Sequence, residues 1–312
     1  MPLKKIGITE TYDPCFVPDW ETKLLDANIV ISKELNDEMI EKLLIVKDRV
    51  IFHHTVTGQG GSVLEPNVNP PAVEFEQFKK LISSGFPWTH YVLRVDPIIL
   101  LDSKTQECVL NVLTMWRSYA SVFLHDVIRC RISVVDLYPH ARERLAAAGV
   151  EVFYDGFKAP PAVFARIAKI IDPYQDYLDF ECCAEPGFAK YDFIKQMGCA
   201  SYEDIRRLGL NHDDYGMPET KQRGDCMCLA KKQILGVKPG RCPHGCLYCF
   251  WKDSAVQPDV IVLDCLDGKL NFSRKAYEES GLVRDLIDTQ KEWIAGHTVR
   301  EVSDELEELY MK

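Results

Sequence analysis

The stretch VIFHHTVT at residues 50–57, followed by GQGG at residues 58–61, sets the pattern that most of the chain repeats. Its β-branched and aromatic residues predict a strand, and the glycines that follow predict a loop. A strand that ends in polar residues beside a glycine loop is a place where a ligand can bind.

Predicted strands and helices alternate along the chain on both sides of this stretch. Strands are predicted over 5–9, 28–31, 91–101, 130–137, 150–153 and 178–184, and helices over 39–46, 72–83, 105–119, 140–148 and a segment ending near 171. So many β–α units favour a parallel α/β sheet that forms a full or partial (β/α) barrel over an open doubly wound sheet. No G-x-G-x-x-G dinucleotide fingerprint follows any of the predicted strands.

The sequence RCPHGCLYCF at residues 241–250 carries three cysteines, Cys242, Cys246 and Cys249. Their spacing allows one tight loop to direct three thiolates toward one point. Thiolates ligate iron–sulfur clusters, and three of them on a four-iron cube leave one iron open to a small molecule, whereas structural zinc sites usually close with four ligands. The pattern favours a [4Fe-4S] cluster; a zinc knuckle completed by His244, or three unligated thiols, are the alternatives.

Composition and charge limit what this loop can belong to. The chain has 312 residues, of which 46% are hydrophobic and 27% charged, enough for one large α/β domain or two small ones. Its 12 cysteines do not resemble a small secreted disulfide scaffold, and residues 1–10 have no apolar signal core, so a reducing cytoplasm is expected. No apolar run approaches the ~18 residues of a membrane helix. The net charge of -10 argues against strong binding to duplex DNA.

Polar residues cluster where the predicted strands end. In a parallel barrel the chemistry lies at the carboxyl ends of the strands, so these residues are candidates for ligand contacts. They are His53, His54, Thr55, Thr57, Arg94, Asp96, Ser133, Asp136, Glu181, Cys182, Cys183 and Glu185. For Arg94 and Asp96 the alternative is a salt bridge in the barrel interior, since buried charges are costly unless paired.

The motif Cys-Pro-His-Gly-Cys-x-Tyr-Cys-aromatic at 242–250 resembles the signature of radical S-adenosylmethionine (SAM) enzymes, and most of all the spore photoproduct lyase branch. Residues 54–57, 64–70 and 94–99 are similar to the barrel of spore photoproduct lyase-like proteins. The chain is closer still to an uncharacterised bacterial family with radical-SAM-like cysteines near its C-terminus, in which 183–185 and 221–228 also have counterparts. The resemblance covers roughly residues 50–252. Most radical SAM enzymes carry the cysteine loop after their first strand, so its late position here indicates a permuted order.

The resemblance implies a [4Fe-4S] cluster that cleaves SAM to a 5′-deoxyadenosyl radical, which abstracts hydrogen from a substrate. A nucleobase or nucleoside substrate and a lyase or isomerase type of reaction are the preferred expectation, with an external electron donor such as flavodoxin or ferredoxin. By the same analogy Tyr248 lies along the adenine. Further candidate cofactor contacts are Thr55, Thr57, Ser133, Glu185, Arg94 and Asp96.

Three other cysteines are candidate catalytic residues. Cys183, at a predicted strand end, could return a hydrogen atom to a substrate radical, as a thiol does in the spore photoproduct lyase family, although core packing of Cys182 and Cys183 is the competing explanation. Cys226 and Cys228 could ligate an auxiliary cluster, donate hydrogen, or simply line the loop. The remaining cysteines in ordinary helix or strand contexts are expected to pack as small hydrophobes. They are Cys108, Cys130, Cys199 and Cys265.

The predicted domain organisation is an α/β barrel over 1–265, including the iron–sulfur loop at 241–250 and a last strand at 260–263. A helical extension follows over 266–312, with a helix at 274–293 and an amphipathic tail. Two other function classes compete with a radical SAM enzyme: an iron–sulfur electron-transfer protein and a zinc-binding interaction module. Metal analysis separates them, because zinc without sulfide would remove both iron–sulfur classes.

Overall fold

The computed structural model describes residues 2–17, 19–101, 103–150, 154, 156–216, 225–229, 231–235, 242–250, 260–265 and 268–273, the last two ranges as backbone strands. Eight strands form one sheet in which every hydrogen-bonded pair is parallel. The strands are β1 (Ile6–Ile8), β2 (Asn28–Ser32), β3 (Val50–Thr55), β4 (Tyr91–Ile98), β5 (Ile128–Val134), β6 (Leu178–Cys182), β7 (Ile194–Gln196) and β8 (Lys232–Ile234).

The order of the strands in the sheet is β7-β6-β5-β4-β3-β2-β1-β8. From β1 to β7 each strand is therefore added beside the one before it, and β8 returns to the free side of β1. A doubly wound sheet reverses direction near its middle, which this sheet does not do. The predicted parallel α/β sheet is confirmed, and its order is compatible with a partial barrel.

Helices connect most of these strands. They are α1 (Asp37–Val46), α2 (Pro71–Ser83), α3 (Ser103–Tyr119), α4 (Pro139–Ala147), α5 (Pro161–Ile171) and α6 (Tyr202–Arg207). Three of them start with proline, whose fixed φ and missing N–H suit the first helical position. The Asn36 side chain accepts the Met39 N–H at 2.9 Å and so caps α1. The helices predicted from periodicity are present, with ends that differ by one or two residues.

Alternate residues of the strands face two different environments. On the outer face, Phe52, Leu93, Cys130 and Phe180 are fully buried in the main core beneath α1, α2, α3 and α5. On the inner face, the side chain of Ile51 belongs to a smaller apolar cluster. Because both faces of the sheet are covered, successive residues of a strand are buried on opposite faces. The strands therefore have nearly continuous hydrophobic sequences.

The edge strands β7 and β8 do not pair with each other, but the chain segments beside them are in contact. The Leu229 N–H donates to the Ala200 carbonyl at 2.9 Å, which joins the segment after β7 to the segment before β8. Gly198 makes this approach possible: a Cβ there would lie 2.4 Å from the Met227 carbonyl oxygen. A side chain at 198 would therefore force the two segments apart.

Two further strands, β9 (Val260–Cys265) and β10 (Gly268–Ser273), form an antiparallel hairpin of their own. This differs from the prediction, which made 260–263 a last barrel strand and began a helical extension at 266. The predicted helix at 274–293 and the tail lie outside the described residues, as does most of the predicted strand at 150–153. Among the described helices, none is long and apolar enough to cross a membrane.

Candidate active site at the carboxyl edge of the sheet

The cysteine loop at 242–250 lies against the segments that follow the first strands of the sheet. The Leu247 N–H donates to the Leu64 carbonyl at 3.0 Å, and the Asn67 amide donates to the Pro243 carbonyl at 2.8 Å. Both partners belong to the long connection after β3. A loop that is late in sequence therefore reaches the carboxyl edge of the sheet, where the chemistry of parallel α/β folds is placed.

A buried pair between His244 and Asp13, which follows β1, anchors one end of the loop. His244 Nε2 lies 2.8 Å from Asp13 Oδ2, and its Nδ1 lies 3.4 Å from the Asn67 carbonyl oxygen. Burial alone would raise the pKa of Asp13, but His244 and the Lys33 N–H lower it to about 2. Both ring nitrogens of His244 therefore already have oxygen partners in the protein.

A second buried network anchors the other end of the loop through Tyr248. Lys33, directly after β2, lies 2.6 Å from Glu65 Oε1 and 2.9 Å from the Tyr248 hydroxyl. Burial and the neighbouring carboxylate raise the pKa of Tyr248, so its hydroxyl stays protonated and donates to Glu65. Thr57 also donates to Glu65, at 2.7 Å. Burial opposes ionisation of Glu65, but Lys33 and these donors lower its pKa, so it is a carboxylate.

The three cysteines of the loop differ in exposure. Cys246 is buried, whereas Cys242 and Cys249 are half-buried. Burial raises the pKa of Cys246 and of Cys242, with the neighbouring thiols adding to the effect. Among the described residues these three are not a group whose ligand atoms all lie within 4.8 Å of one another. A cube, in which each thiolate binds a different iron, calls for a wider spacing than one mononuclear ion does.

Arg144 on α4 fixes the backbone of the same loop. Its guanidinium donates to the carbonyl oxygens of Cys246, at 3.3 Å, and Cys249, at 3.0 Å. His140, also on α4, lies 2.9 Å from the carbonyl of Phe250. The loop is thus held from the β1–β3 side and from the helix after β5, which gives its thiols a defined position.

The other predicted cofactor contacts also lie at this edge, and several contact one another. Asp96 pairs with Arg94 and accepts from Ser133, while Glu185 accepts the Val134 N–H at 3.0 Å. Arg94 and Asp96 form a salt bridge with each other, which was the alternative to their predicted role as cofactor contacts. Thr55 is buried at the end of β3. Asp13, Lys33 and Glu65 were not singled out as candidates from sequence, although Lys33 stands directly after a predicted strand.

Beneath this edge the inner face of the sheet carries a layer of buried charges. Arg129 donates to Glu181 at 2.8 Å and to Asp204 at 2.8 Å, and Arg131 donates to Glu181 at 2.5 Å. Burial opposes ionisation, but Arg131 and Arg129 hold the pKa of Glu181 at about 2. Glu181 is therefore structural in this arrangement.

Some buried polar atoms of the inner face have no partner in the described part of the chain. They include His53 Nε2, Gln59 Nε2 and Arg94 Nε. Burial lowers the pKa of His53, with Arg131, Arg94 and Arg129 adding to the effect, so its ring is neutral. Orphaned buried polar atoms are costly, and a polar ligand or water would satisfy them.

An apolar pocket lies beside the cysteine loop at the ends of β4 and β5. Its walls include Ile99, Leu101, Val135, Leu145 and the ring of Tyr248. Tyr248 thus connects the pocket to the hydrogen-bonded network of Lys33.

The structure also brings together the three thiols that were proposed as catalytic. Cys183 Sγ lies 3.9 Å from Cys226 Sγ and 3.8 Å from Cys228 Sγ. The Cys199 N–H donates to Cys228 Sγ at 3.1 Å. Hydrogen bonds from the Cys183 and Cys199 thiols lower the pKa of Cys228, against the effect of burial.

Two sequence expectations about cysteines change in this light. Cys199 was expected to pack as a small hydrophobe, but it is half-buried and its thiol contacts this group. The side chains of Cys182 and Cys183 lie on opposite faces of the sheet, because successive residues of a strand point in opposite directions. Cys182 is in the outer core beside Gln196, and Cys183 joins the thiol group.

The fold and site define an α/β protein with a parallel sheet and a cysteine group that could hold a metal. The chain belongs to the family described as "Domain of unknown function (DUF1848)", whose model matches residues 18–251 and so spans every cysteine of the loop and of the thiol group. A comparison with curated proteins gave no match. Among solved structures, the mannohexaose complex of Thermomonospora fusca β-mannanase is similar over 68% of this chain and 76% of that chain, with 9% identity and a TM-score of 0.32. This similarity is too low to support any inference.

Proposed function

We propose that this chain is a radical SAM enzyme with a permuted (β/α) barrel, in which Cys242, Cys246 and Cys249 bind a [4Fe-4S] cluster. The observation that carries the proposal is the fixed position of the three-cysteine loop at the carboxyl edge. Its anchors are Asp13–His244 on one side and Lys33–Glu65–Tyr248 on the other. When bound, such a cluster supplies the electron that cleaves SAM to a 5′-deoxyadenosyl radical.

The residues around the loop suit the polar and aromatic parts of SAM. Tyr248 would lie along the adenine, as the resemblance implies. Thr55, Ser133 and Glu185 would contact the methionine and ribose. The orphaned atoms of His53, Gln59 and Arg94 provide further polar partners in the interior. The Thr57 hydroxyl already donates to Glu65, and the Asp96 carboxylate already pairs with Arg94. The role of Thr57 and Asp96 would therefore be to position these neighbours.

The loop explains how a late cluster motif can serve a barrel. Its contacts run to the segments after β1, β2 and β3, so it occupies the edge that a loop after the first strand would occupy. A nucleobase or nucleoside is the proposed substrate class, because the nearest resembling branch repairs a thymine lesion. A lyase or isomerase type of reaction in the cytoplasm, with flavodoxin or ferredoxin as electron donor, completes the proposal.

The two competing classes make different predictions about the loop. An electron carrier protects its cluster with a full set of ligands, and the loop offers three thiols. A zinc module closed by His244 would need a ring nitrogen, and both are engaged by Asp13 and Asn67. These contacts favour the enzyme over either alternative.

Electron paramagnetic resonance tests the proposal. After anaerobic reconstitution and reduction, the full chain should show a [4Fe-4S] signal that changes when SAM is added, because the open iron would bind the amino and carboxylate groups of SAM. Adenosine, which lacks both groups, serves as the control and should leave the signal unchanged. A cluster signal that does not respond to SAM would favour the electron carrier, and zinc bound by the 242–250 loop without any cluster would favour the zinc module.

A further inference from the structure

The thiol group on the inner face has the dimensions of a mononuclear metal site. The sulfur atoms of Cys183, Cys226 and Cys228 all lie within 4.8 Å of one another, and two of the three separations are 3.8 and 3.9 Å. A tetrahedral ion with metal–sulfur bonds of about 2.3 Å has sulfur–sulfur edges of about 3.8 Å. A disulfide would need a bond of about 2.05 Å, and cysteines on a four-iron cube would stand farther apart.

Cys199 is the candidate for the fourth ligand. Its N–H already donates to Cys228 Sγ at 3.1 Å, while its own sulfur is not part of the set whose ligand atoms all lie within 4.8 Å of one another. Backbone N–H groups commonly support thiolate ligands in this way. Gly198 allows the approach, because a Cβ at that position would lie 2.6 Å from Cys228 Cα.

Three cations lie near the group. Four thiolates on a divalent ion leave a net charge of about −2, which is costly to bury without compensation. The Arg131 guanidinium donates to the Gly198 carbonyl, next to Cys199, and Arg94 and Lys232 are within electrostatic range of the thiols. Each of the three also pairs with a carboxylate, so they offset the charge of the thiolates in part.

We propose that Cys183, Cys199, Cys226 and Cys228 together bind one tetrahedral divalent metal ion, with zinc as the favoured ion. The four ligands come from the end of β6, the segment after β7 and the segment before β8. The ion therefore joins the two edges of the sheet where strand pairing stops. With four protein ligands the site is closed and structural, and it does not depend on the proposed radical SAM activity.

Metal analysis of the full chain, purified after expression with both iron and zinc in the medium, tests this site. We expect about one zinc per chain in addition to any iron. The double variant Cys226→Ser, Cys228→Ser should lose zinc by more than about tenfold while its iron is unchanged, since metal-site affinity depends on the full ligand set. Cys182→Ser is the matched control: Cys182 is the strand neighbour of Cys183 but faces the outer core, so zinc should be retained.

A second measurement on the unaltered chain keeps the test decisive if the double variant fails to fold. X-ray absorption at the zinc edge should show four sulfur ligands at about 2.3 Å. Alkylation followed by mass spectrometry should show Cys183, Cys199, Cys226 and Cys228 protected until a chelator is added. Absence of bound zinc, nitrogen or oxygen ligands in the absorption spectrum, or loss of iron rather than zinc in the double variant would each overturn the proposal.

Discussion

Replacing Cys246 by Ala is expected to abolish both the iron–sulfur absorption and the cleavage of SAM. Cys246 is the most buried of the three loop cysteines and stands between the other two. Two thiolates do not hold a four-iron cluster in place, so loss of the middle ligand should reduce iron to background. Visible absorption, iron content and 5′-deoxyadenosine formation, all after anaerobic reconstitution, measure the effect.

Cys108→Ala is the matched control for that variant. Cys108 is half-buried on α3 and is not part of the 242–250 loop, so the variant should keep the iron content of the unaltered chain. A Cys246→Ala protein that kept a normal cluster would show that the loop is not the iron site. Equal losses in both variants would point to a general effect of removing thiols.

The second large effect is expected at Glu181, in the buried charge layer. Glu181→Gln should lower the free energy of unfolding by about 3–5 kcal/mol, because it leaves Arg129 and Arg131 with too little negative charge in a buried setting. Both guanidinium groups are within 3.0 Å of its carboxylate. Urea denaturation measures the change, with metal content determined on the same samples because Cys183 is two residues away.

Asp179→Asn on the same strand provides the control. Asp179 pairs with Lys195 at 2.6 Å, but that pair is solvent-exposed, with the Lys195 side chain 54% exposed. Exposed ion pairs contribute about 0–1 kcal/mol, so the change should be small. If the two substitutions cost the same, the buried layer would not be the stabilising feature described above.

Much of the fold could be predicted from the sequence because it depends on local patterns. The alternation of apolar segments was enough to place the helices and a parallel sheet. The hairpin β9–β10 was not predicted, because its apolar segment was assigned to the barrel.

The site was less predictable because its partners are distant in sequence. His244 meets Asp13 across 231 positions, and Lys33 meets Tyr248 across 215. The pattern in 242–249 identified the loop, but no local pattern identifies the residues that hold it. Cys199 likewise stands alone in sequence, and only the approach of Gly198 to the 227–228 backbone brings it to Cys228.

Two cysteine sites in one chain change how a metal analysis must be interpreted. Zinc alone would not exclude an iron–sulfur enzyme if it is bound by the thiol group on the inner face. Iron, sulfide and zinc therefore have to be counted together, and each assigned by its own variants. The account predicts about four irons and about one zinc per chain.

The measurement that tests the central claim most directly is the product of SAM cleavage. The full chain, reconstituted anaerobically with iron and sulfide and reduced with dithionite, is incubated with SAM, and 5′-deoxyadenosine and methionine are quantified by mass spectrometry. The account predicts that both form in equal amounts, and that neither forms with the Cys242→Ala, Cys246→Ala, Cys249→Ala variant. An intact, reduced [4Fe-4S] cluster that leaves SAM uncleaved, or cleavage that persists in the triple variant, would contradict it.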